Sequence, residues 1–264
     1  MRLATEALTL GYDGRVVIRG LDLQLPDVPM TAILGPNGCG KSTLLRAMGR
    51  LITPQSGRVL LEGEDVRRIE SRALARRMAV LPQSPVAPGG ITVADLVRRG
   101  RLPWRGMLAP WRETDQRACV AAMEAVGVAD LAERPLEELS GGQRQRAWIA
   151  LVLAQTTPLL LLDEPTTFLD LAHQLDLLAL LRRQSRGTGL RVVAVLHDLN
   201  LAARFCDALV LLGPGGLVAE GAPEAVLTPE HLERAFGLAA EVHPDPITGT
   251  PMVIPAHCPE ERLA

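Results

Sequence analysis

Gly35-Pro36-Asn37-Gly38-Cys39-Gly40-Lys41-Ser42 decides the fold, because this stretch fits the pattern Gly-x-x-x-x-Gly-Lys-Ser/Thr. The five residues before it, 30–34 (MTAIL), are typical of a buried strand, and residues 41–51 are typical of a helix. A glycine-rich turn between a strand and a helix directs backbone N–H groups at phosphate oxygens, and the helix N-terminus adds its dipole. The stretch therefore predicts a phosphate-binding loop on an α/β core.

The residues of this loop have defined expected roles toward ATP and Mg²⁺. Lys41 is expected to bridge the β- and γ-phosphates, and Ser42 to ligate Mg²⁺. The other residues expected to contact ATP in this loop are Gly35, Pro36, Asn37, Gly38, Cys39, Gly40 and Thr43. The alternative is a glycine-rich strand–helix turn that binds no ligand, and the other motifs of the chain argue against it.

Lys41 is also the one lysine of the chain. The other 27 of its 28 basic residues are arginines. A sequence that uses arginine as its general cation places lysine where a compact ammonium is needed and a planar guanidinium does not fit. Composition therefore supports a nucleotide role for Lys41 independently of the motif.

An acidic pair follows a second apolar stretch. Residues 159–162 are four leucines, and Asp163 and Glu164 come directly after them. A buried strand with this ending would deliver Asp163 to Mg²⁺ and Glu164 to the attacking water. Many strands end in a charged turn, so the signal is weak alone. Paired with a lysine loop about 120 residues upstream, it predicts ATP hydrolysis.

Strands and helices alternate along most of the chain, which predicts a mostly parallel sheet with helices on both faces. The expected fold class is α/β, a P-loop NTPase (RecA-like) core formed by residues 1–82 and 156–236. Its N-terminal part is expected to be a small antiparallel β subdomain with a turn at Asp13-Gly14. Residues 83–155 are expected to be a helical subdomain inserted into the core, and residues 237–264 a tail too short to fold alone.

Composition limits the partners. The chain has 264 residues, 47% hydrophobic, which is enough for one large domain or a core with a subdomain. A net charge of −2 argues against nucleic acid as the main partner. One segment is rich in arginine, and its spacing predicts a solvated helix face. These arginines are Arg67, Arg68, Arg72, Arg76 and Arg77.

The cysteines and the apolar runs indicate the cellular compartment expected for the chain. The four cysteines, scattered without metal-ligand spacing, predict reduced thiols of a cytoplasmic protein. They are Cys39, Cys119, Cys206 and Cys258. The N-terminus lacks the pattern of a signal peptide, and no apolar run has the length of a membrane span. Any role at a membrane is therefore expected to depend on a partner.

Leu139-Ser140-Gly141-Gly142-Gln143 resembles the signature sequence of the ABC ATPases, and the resemblance covers nearly the whole chain. Ser140 is expected to cap a helix that begins near Gly141, and the glycines expose N–H groups to an anion. One chain does not need two phosphate-binding elements, the glycine loop and the signature, for one ATP. The resemblance implies that this signature completes the site of a second copy in a head-to-tail, ATP-dependent dimer.

The elements of the family occur in its usual order, and the resemblance implies their roles. Tyr12 stacks on adenine, and Gln83 reaches Mg²⁺ and the attacking water. Glu164 is the general base, and His197 contacts the γ-phosphate, although a lone histidine at a strand end is often structural. The implied catalytic residues are Glu164, His197, Lys41 and Gln83, and the implied Mg²⁺ ligands are Ser42, Gln83 and Asp163. Residues implied to act in trans on ATP are Ser140, Gly141, Gly142, Gln143 and Asp170.

Three classes of ABC protein remain open: a membrane importer's ATPase subunit, a soluble ABC ATPase and a non-catalytic binding subunit. Ser140 follows Lys41 by only 99 positions, which leaves no room for the coiled coil of the DNA-repair ATPases. There is one cassette, without a fused membrane span. We therefore expect an importer subunit at the cytoplasmic face of the membrane, held there peripherally by permease subunits and serving a substrate-binding protein indirectly.

Three further segments resemble the importers of iron–siderophore, haem and cobalamin. These are residues 99–103 (RGRLP), 164–174 (EPTTFLDLAHQ) and 245–251 (DPITGTP). The resemblance implies a ferric siderophore as the cargo. The alternatives are haem or cobalamin, and a soluble non-transport ABC ATPase. No physical argument selects the cargo, because in the family this subunit does not handle it.

Overall fold

The computed structural model describes residues 2–12, 14–105, 110–167 and 169–256. Asp13, Phe168 and Cys258 lie outside the described residues. The chain divides into two compact units, one of residues 1–67 and 193–264 and the other of residues 68–192. The predicted boundaries of core, helical subdomain and tail stay predictions.

Strands and helices alternate along much of the described chain. The strands are β1 (Leu3–Tyr12), β2 (Arg15–Gln24), β3 (Met30–Leu34), β4 (Ser56–Leu61), β5 (Glu64–Asp65), β6 (Met78–Leu81), β7 (Leu159–Asp163), β8 (Arg191–Val195), β9 (Ala208–Gly213), β10 (Gly216–Gly221), β11 (Ala240–Pro244) and β12 (Pro251–Pro255). The helices are α1 (Lys41–Met48), α2 (Ser71–Arg77), α3 (Val93–Arg99), α4 (Glu113–Ala125), α5 (Gly141–Ala154), α6 (Leu171–Thr188), α7 (Leu199–Phe205), α8 (Pro223–Val226) and α9 (Pro229–Phe236).

An antiparallel sheet in the order β2-β1-β4-β5 opens the first unit. Strands β1 and β2 form a hairpin in which Tyr12 pairs with Arg15, and Gly14 in the turn has a φ of 82°. Leu3, Leu8 and Leu10 of β1 are fully buried. The prediction of a small antiparallel part at the N-terminus is confirmed.

A second sheet in the first unit carries the glycine loop. Its strands follow the order β10-β9-β3, with the end of β8 beside β3. β3 runs parallel to β9, Thr31 lying opposite Ala208, and β10 is antiparallel to β9. Every residue of β3 and β9 is buried, as expected of strands covered on both faces. Helix α1 begins directly after the glycine loop.

The second unit contains β6, β7 and most of the long helices. β6 and β7 are parallel, with Met78 opposite Leu159, and every residue of β7 is buried. Helices α3, α4 and α5 pack on one another. β8 begins in this unit, where Arg191 N donates to Pro158 O at 2.9 Å. The observed elements confirm an α/β fold with mostly parallel central strands.

A buried ion pair joins helices within the second unit. Arg101 Nε lies 3.0 Å from Asp115 Oδ1, and the two side chains are only 9% and 4% exposed. Arg101 also donates to Ala154 O at 2.8 Å and to Thr156 Oγ1 at 2.7 Å. The guanidinium therefore links the start of α4 to the end of α5. Together these contacts provide the hydrogen bonds that a buried charge requires.

The arginine-rich segment differs from the solvated helix face that was predicted. Glu70 caps α2 by accepting from the N–H groups of Arg72 and Ala73, which holds the pKa of that carboxyl below its ordinary value. Arg72 and Arg76 are half-buried, and their Nε atoms both donate to Pro103 O, at 2.8 and 2.7 Å. The prediction was wrong for these two side chains, because their partners lie about 30 residues away in sequence.

The tail forms a hairpin on the first unit. β11 and β12 pair antiparallel with Val242 opposite Val253, and they pack against α9 and α7 respectively. The tail therefore forms a hairpin in contact with two helices of the unit, and the prediction that it is too short to fold alone stays a prediction. No helix among the described residues is long and apolar enough to span a bilayer.

Candidate active site

The glycine loop has a backbone that only glycine can adopt at two positions. Gly35 and Gly40 have φ angles of 147° and 103°. A Cβ atom on Gly35 would lie 2.4 Å from Leu212 O, and one on Gly40 would lie 2.8 Å from Ile18 Cγ1. Glycine is therefore required at both positions, and the loop curls at the start of α1, a form typical of loops that bind anions through N–H groups.

The side chain of Lys41 lies under this curl. The residue is 5% exposed, and Nζ donates to Gly35 O at 2.8 Å and to Pro36 O at 3.0 Å. An ammonium carries three donors on one atom, so two loop carbonyls can fix it while its charge stays at the loop. A planar guanidinium would spread five donors over a much wider group, which agrees with the inference from the single lysine.

The other residues predicted to contact ATP lie within the glycine loop or at the start of α1. Asn37 and Gly38 are exposed, whereas Cys39 and Thr43 are buried and Ser42 is half-buried. Burial raises the pKa of the Cys39 thiol, so the sulfur is a protonated thiol near neutral pH. This agrees with a backbone role for Cys39 and argues against thiol chemistry in the loop.

Tyr12 and His197 also belong to the first unit. Tyr12 ends β1 and is 44% exposed, so the ring can offer a face to a planar ligand. His197 is exposed and follows the end of β8. The next residue, Asp198, caps α7 by accepting from Leu201 N at 2.8 Å.

The second unit brings together two of the predicted catalytic residues. Asp163, the last residue of β7, is buried, and Glu164 follows it with a φ of 53°. A non-glycine residue in this region is strained, and such strain is concentrated at functional sites. Gln83 Nε2 donates to Glu164 Oε2 at 2.6 Å. The amide predicted to reach the metal and the carboxylate predicted to be the base are therefore direct partners.

Thr167 is a functional candidate that sequence reasoning missed. Its Oγ1 donates to Glu164 Oε2 at 3.1 Å, and its backbone N–H donates to Glu164 O at 3.3 Å. One oxygen of Glu164 thus accepts from both Thr167 and Gln83. A hydroxyl three residues after an acid in a turn was the available signal, because this spacing returns the side chain to the acid.

The signature segment begins helix α5 with a reciprocal cap. Ser140 Oγ accepts from Gln143 N at 3.3 Å, and Gln143 Oε1 accepts from Ser140 N at 3.1 Å. The predicted cap is confirmed. Ser140 and Gly141 are exposed, and no atom lies within 4 Å of a Cβ built on Gly141. The start of α5 is therefore an accessible set of N–H groups.

Side chains of α5 and α6 donate hydrogen bonds to the segment that follows Glu164. Gln145 Nε2 of α5 donates to Pro165 O at 3.0 Å, and Gln174 Nε2 of α6 donates to Leu169 O at 2.9 Å. Asp170 caps α6, accepting from the backbone N–H of His173 at 2.9 Å and contacting the ring Nδ1 at 2.7 Å. The backbone bond from His173 is the main cause that lowers the pKa of the exposed Asp170 carboxyl.

The predicted residues are thus divided between the two units. The first unit holds Tyr12, Gly35, Pro36, Asn37, Gly38, Cys39, Gly40, Lys41, Ser42, Thr43 and His197. The second unit holds Gln83, Ser140, Gly141, Gly142, Gln143, Asp163, Glu164 and Asp170. The first unit brings Lys41 to the carbonyls of the glycine loop, and the second brings Gln83 and Thr167 to Glu164.

The chemistry of these groups fits ATP and Mg²⁺. The curled loop offers N–H groups and one ammonium, which suit phosphate oxygens. Ser42 and Asp163 supply a hydroxyl and a carboxylate, and hard oxygen ligands of this kind suit Mg²⁺, which binds proteins through few side chains together with phosphate. In chemical type, the residues of the first unit therefore fit ATP, and one oxygen ligand in each unit fits Mg²⁺.

Comparisons with known proteins agree with this chemistry. The family model described as ABC transporter matches residues 18–167. The ferric enterobactin transport ATP-binding protein FepC of Escherichia coli (strain K12) is 50% identical over 254 residues, covering 96% of this chain and 94% of FepC.

Two solved structures are similar to the chain. One is a metal-chelate type ABC transporter in an inward-facing conformation, with a TM-score of 0.81, 28% identity and 97% of each chain covered. The other is a dimeric bacterial ABC transporter cassette, with a TM-score of 0.75 and 25% identity, covering 84% of this chain and 98% of that one.

Proposed function

The chain belongs to the ABC transporter family as the ATP-binding and ATP-hydrolysing subunit of an importer, and we propose that its importer takes up a ferric siderophore. The 50% sequence identity with a ferric enterobactin transport protein extends over nearly the full length of both chains and supports this cargo. Haem or cobalamin import is the alternative cargo, and a soluble non-transport ABC ATPase is the more distant alternative.

The observation that carries ATP binding is the lysine under the glycine loop. Lys41 Nζ is held by Gly35 O and Pro36 O, so its charge is fixed at the glycine loop. Lys41 would contact the β- and γ-phosphates, the loop residues 35–43 would bind the remaining phosphate oxygens, and Tyr12 would stack on the adenine. Ser42, Asp163 and Gln83 would hold Mg²⁺, which neutralises charge on the phosphates when bound.

Hydrolysis is assigned to Glu164. Its carboxylate would accept the proton of the attacking water, and His197 would contact the γ-phosphate. The bonds from Gln83 and Thr167 to Glu164 Oε2 support this assignment, because they fix the direction of the carboxylate before any water is activated.

A second copy of the chain is assigned to the other side of ATP. The exposed cap at Ser140, with Gly141, Gly142 and Gln143 after it, would contact the γ-phosphate of the partner copy's nucleotide, and Asp170 would act across the same interface. The γ-phosphate then provides contacts that only the closed dimer makes, and this differential binding allows ATP to shift the equilibrium toward closure. The similarity to a dimeric cassette supports the arrangement.

The permease is assigned to the surface beside Gln83. Residues 84–90 follow Gln83 and are mostly exposed, with Val86 91% exposed. A contact made there would be passed through Gln83 to Glu164, 2.6 Å away. The chain would thus lie at the cytoplasmic face of the membrane, bound peripherally through the permease and coupled only indirectly to a substrate-binding protein. Nucleic acid has no role in this assignment.

The cargo is tested by uptake in cells. A strain that lacks the chain should lose uptake of iron-55 ferric enterobactin while keeping uptake of haem and of cobalamin. The wild-type chain should restore uptake, and Lys41→Ala, produced at the same level, should not. Unchanged ferric siderophore uptake in the deletion strain, with haem or cobalamin uptake lost, would replace the proposed cargo by the alternative.

A further inference from the structure

The C-terminal hairpin, residues 240–255, is joined to α7 by both polar atoms of one side chain. Val253 N donates to Asn200 Oδ1 at 2.7 Å, and Asn200 Nδ2 donates to Val253 O at 3.3 Å. The amide of Asn200 therefore pairs with the backbone of Val253 as a neighbouring strand would. A two-point attachment fixes orientation as well as distance, which a single hydrogen bond does not.

Asn200 is the second residue of α7 and lies three positions after His197. Between them, Asp198 fixes the start of the helix through its bond to Leu201 N. On the other side of His197, Leu196 N donates to Ile33 O at 3.2 Å, and Ile33 belongs to the strand that leads into the glycine loop. His197 therefore stands between one attachment to the core sheet and one to the tail.

The hairpin has the internal structure needed to hold α7 in place. Its turn is fixed by Asp245, whose side chain accepts from Ile247 N at 2.8 Å and Thr248 N at 2.9 Å. Val253 is buried, and β11 packs against α9. The hairpin is thus anchored on two helices of the same unit, and a rigid anchor is what positioning of a neighbouring residue requires.

From these attachments we propose that the C-terminal hairpin positions His197, with Asn200 as the positioning residue. This proposal rests on the proposed function, in which His197 contacts the γ-phosphate. Without the hairpin the start of α7 would lose its attachment to the tail, and the segment that carries His197 would be held less firmly. Misplacement of a catalytic group by about 1 Å can cost ~10²-fold in rate, so the hairpin should affect turnover more than nucleotide binding.

A purely stabilising role for the tail makes different predictions. If the hairpin only adds buried surface, its loss should lower the melting temperature and leave the kcat of each folded molecule unchanged. If it positions His197, kcat should fall while the KM for ATP stays near its wild-type value. The effect should also require His197, because a positioning residue has nothing to position once that side chain is removed.

The experiment measures steady-state ATPase activity of the purified full chain, with kcat counted per molecule that binds nucleotide. Asn200→Ala should lower kcat about tenfold or more, by misplacing a catalytic group, and Asn200→Asp, which keeps the acceptor for Val253 N, should restore part of the loss. Ile247→Ala at the tip of the hairpin, where the side chain is 82% exposed, is the control and should turn over normally. In a His197→Ala background, Asn200→Ala should cause no further loss.

Two results would overturn the proposal. One is an Asn200→Ala chain with kcat within about twofold of wild type, a change below the scale of a misplaced catalytic group. The other is an equal loss from Asn200→Ala with and without His197. The proposed function is judged in the same assay by wild-type turnover and its loss in Lys41→Ala, so its failure is distinguishable from failure of the Asn200 variants.

Discussion

Gln83 Nε2 lies 2.6 Å from Glu164 Oε2, although 81 positions separate the two residues in the sequence. Thr167 Oγ1 donates to the same oxygen at 3.1 Å. A residue assigned to Mg²⁺ and a residue assigned to the attacking water thus share a hydrogen bond. The amide nitrogen of Gln83 holds the carboxylate while its amide oxygen stays available to a metal, and Thr167 is a second donor to the same carboxylate oxygen.

The first prediction concerns the base. Glu164→Gln keeps the shape of the side chain and removes its ability to accept a proton, so ATP hydrolysis should fall by ~10²-fold or more. ATP should still bind and should hold two copies together. Gel filtration with Mg-ATP should give a dimer for this variant, and a strictly monomeric elution would contradict the nucleotide sandwich.

The second prediction concerns the lysine. Lys41→Arg keeps the charge but places a wide planar group beneath the loop, where Gly35 O and Pro36 O accept from a single atom. ATPase activity should fall by roughly 10²-fold, the cost of losing one preorganised contact to the transferring group. The matched control is Arg58→Lys, in an exposed ion pair with Glu6. Near-normal turnover of Lys41→Arg would refute the steric role of the lone lysine.

The third prediction concerns Thr167. Thr167→Val removes the hydroxyl that donates to Glu164 and keeps the branched shape, so kcat should fall about tenfold or more, since a hydrogen bond to a charged group contributes about 1.5–3 kcal/mol. The KM for ATP should change little, and Thr167→Ser should restore most of the rate. Steady-state kinetics of the three chains give the measurement.

A threonine outside the site supplies the control for this series. Thr188 Oγ1 donates to Gln184 O at 2.8 Å near the end of α6. Thr188→Val removes a comparable hydroxyl bond and should leave kcat unchanged. Equal losses in Thr167→Val and Thr188→Val would mean that the effect of Thr167 is structural.

The fourth prediction concerns the buried ion pair of Arg101 and Asp115. Asp115→Ala leaves the Arg101 guanidinium buried without its carboxylate, so the free energy of unfolding should fall by about 3–5 kcal/mol. The double variant Arg101→Met/Asp115→Ala removes the uncompensated charge and should be more stable than Asp115→Ala. Urea unfolding followed by circular dichroism measures both, and a less stable double variant would show that the buried charge is not the source of the loss.

Local patterns predicted the elements that carry the site. The apolar strand, the glycine loop and the helix from Lys41 were expected and are present, because each depends on residues adjacent in sequence. The ends of helices were less exact. Residues 41–51 were expected to be helical, whereas α1 stops at Met48 with Gly49 as its cap; Gly189, with a φ of 72°, ends α6 after Thr188. Glycine residues determine where these helices end, and the spacing of apolar residues does not predict those positions.

Contacts between distant segments were not predictable from local patterns. Arg72 and Arg76 were expected to face solvent, yet both donate to Pro103 O. The tail hairpin packs against α7 and α9, and no strand was predicted from its own residues. The Thr167–Glu164 bond is local, and its spacing of three residues was a signal that the sequence offered but that does not exclude a hydroxyl facing solvent. The fold around each of these groups decides its contacts, and one sequence does not display them.

The single lysine is 5% exposed beneath the glycine loop. It gives the chain one side chain that amine-specific reagents can modify. Apart from the N-terminal amine, every reagent that acylates primary amines has Lys41 as its one side-chain target. Modification there would report the opening of the loop, and bound nucleotide would shield it. A mass spectrometer following one peptide could thus record occupancy of the site in the intact importer, with no label engineered into the chain.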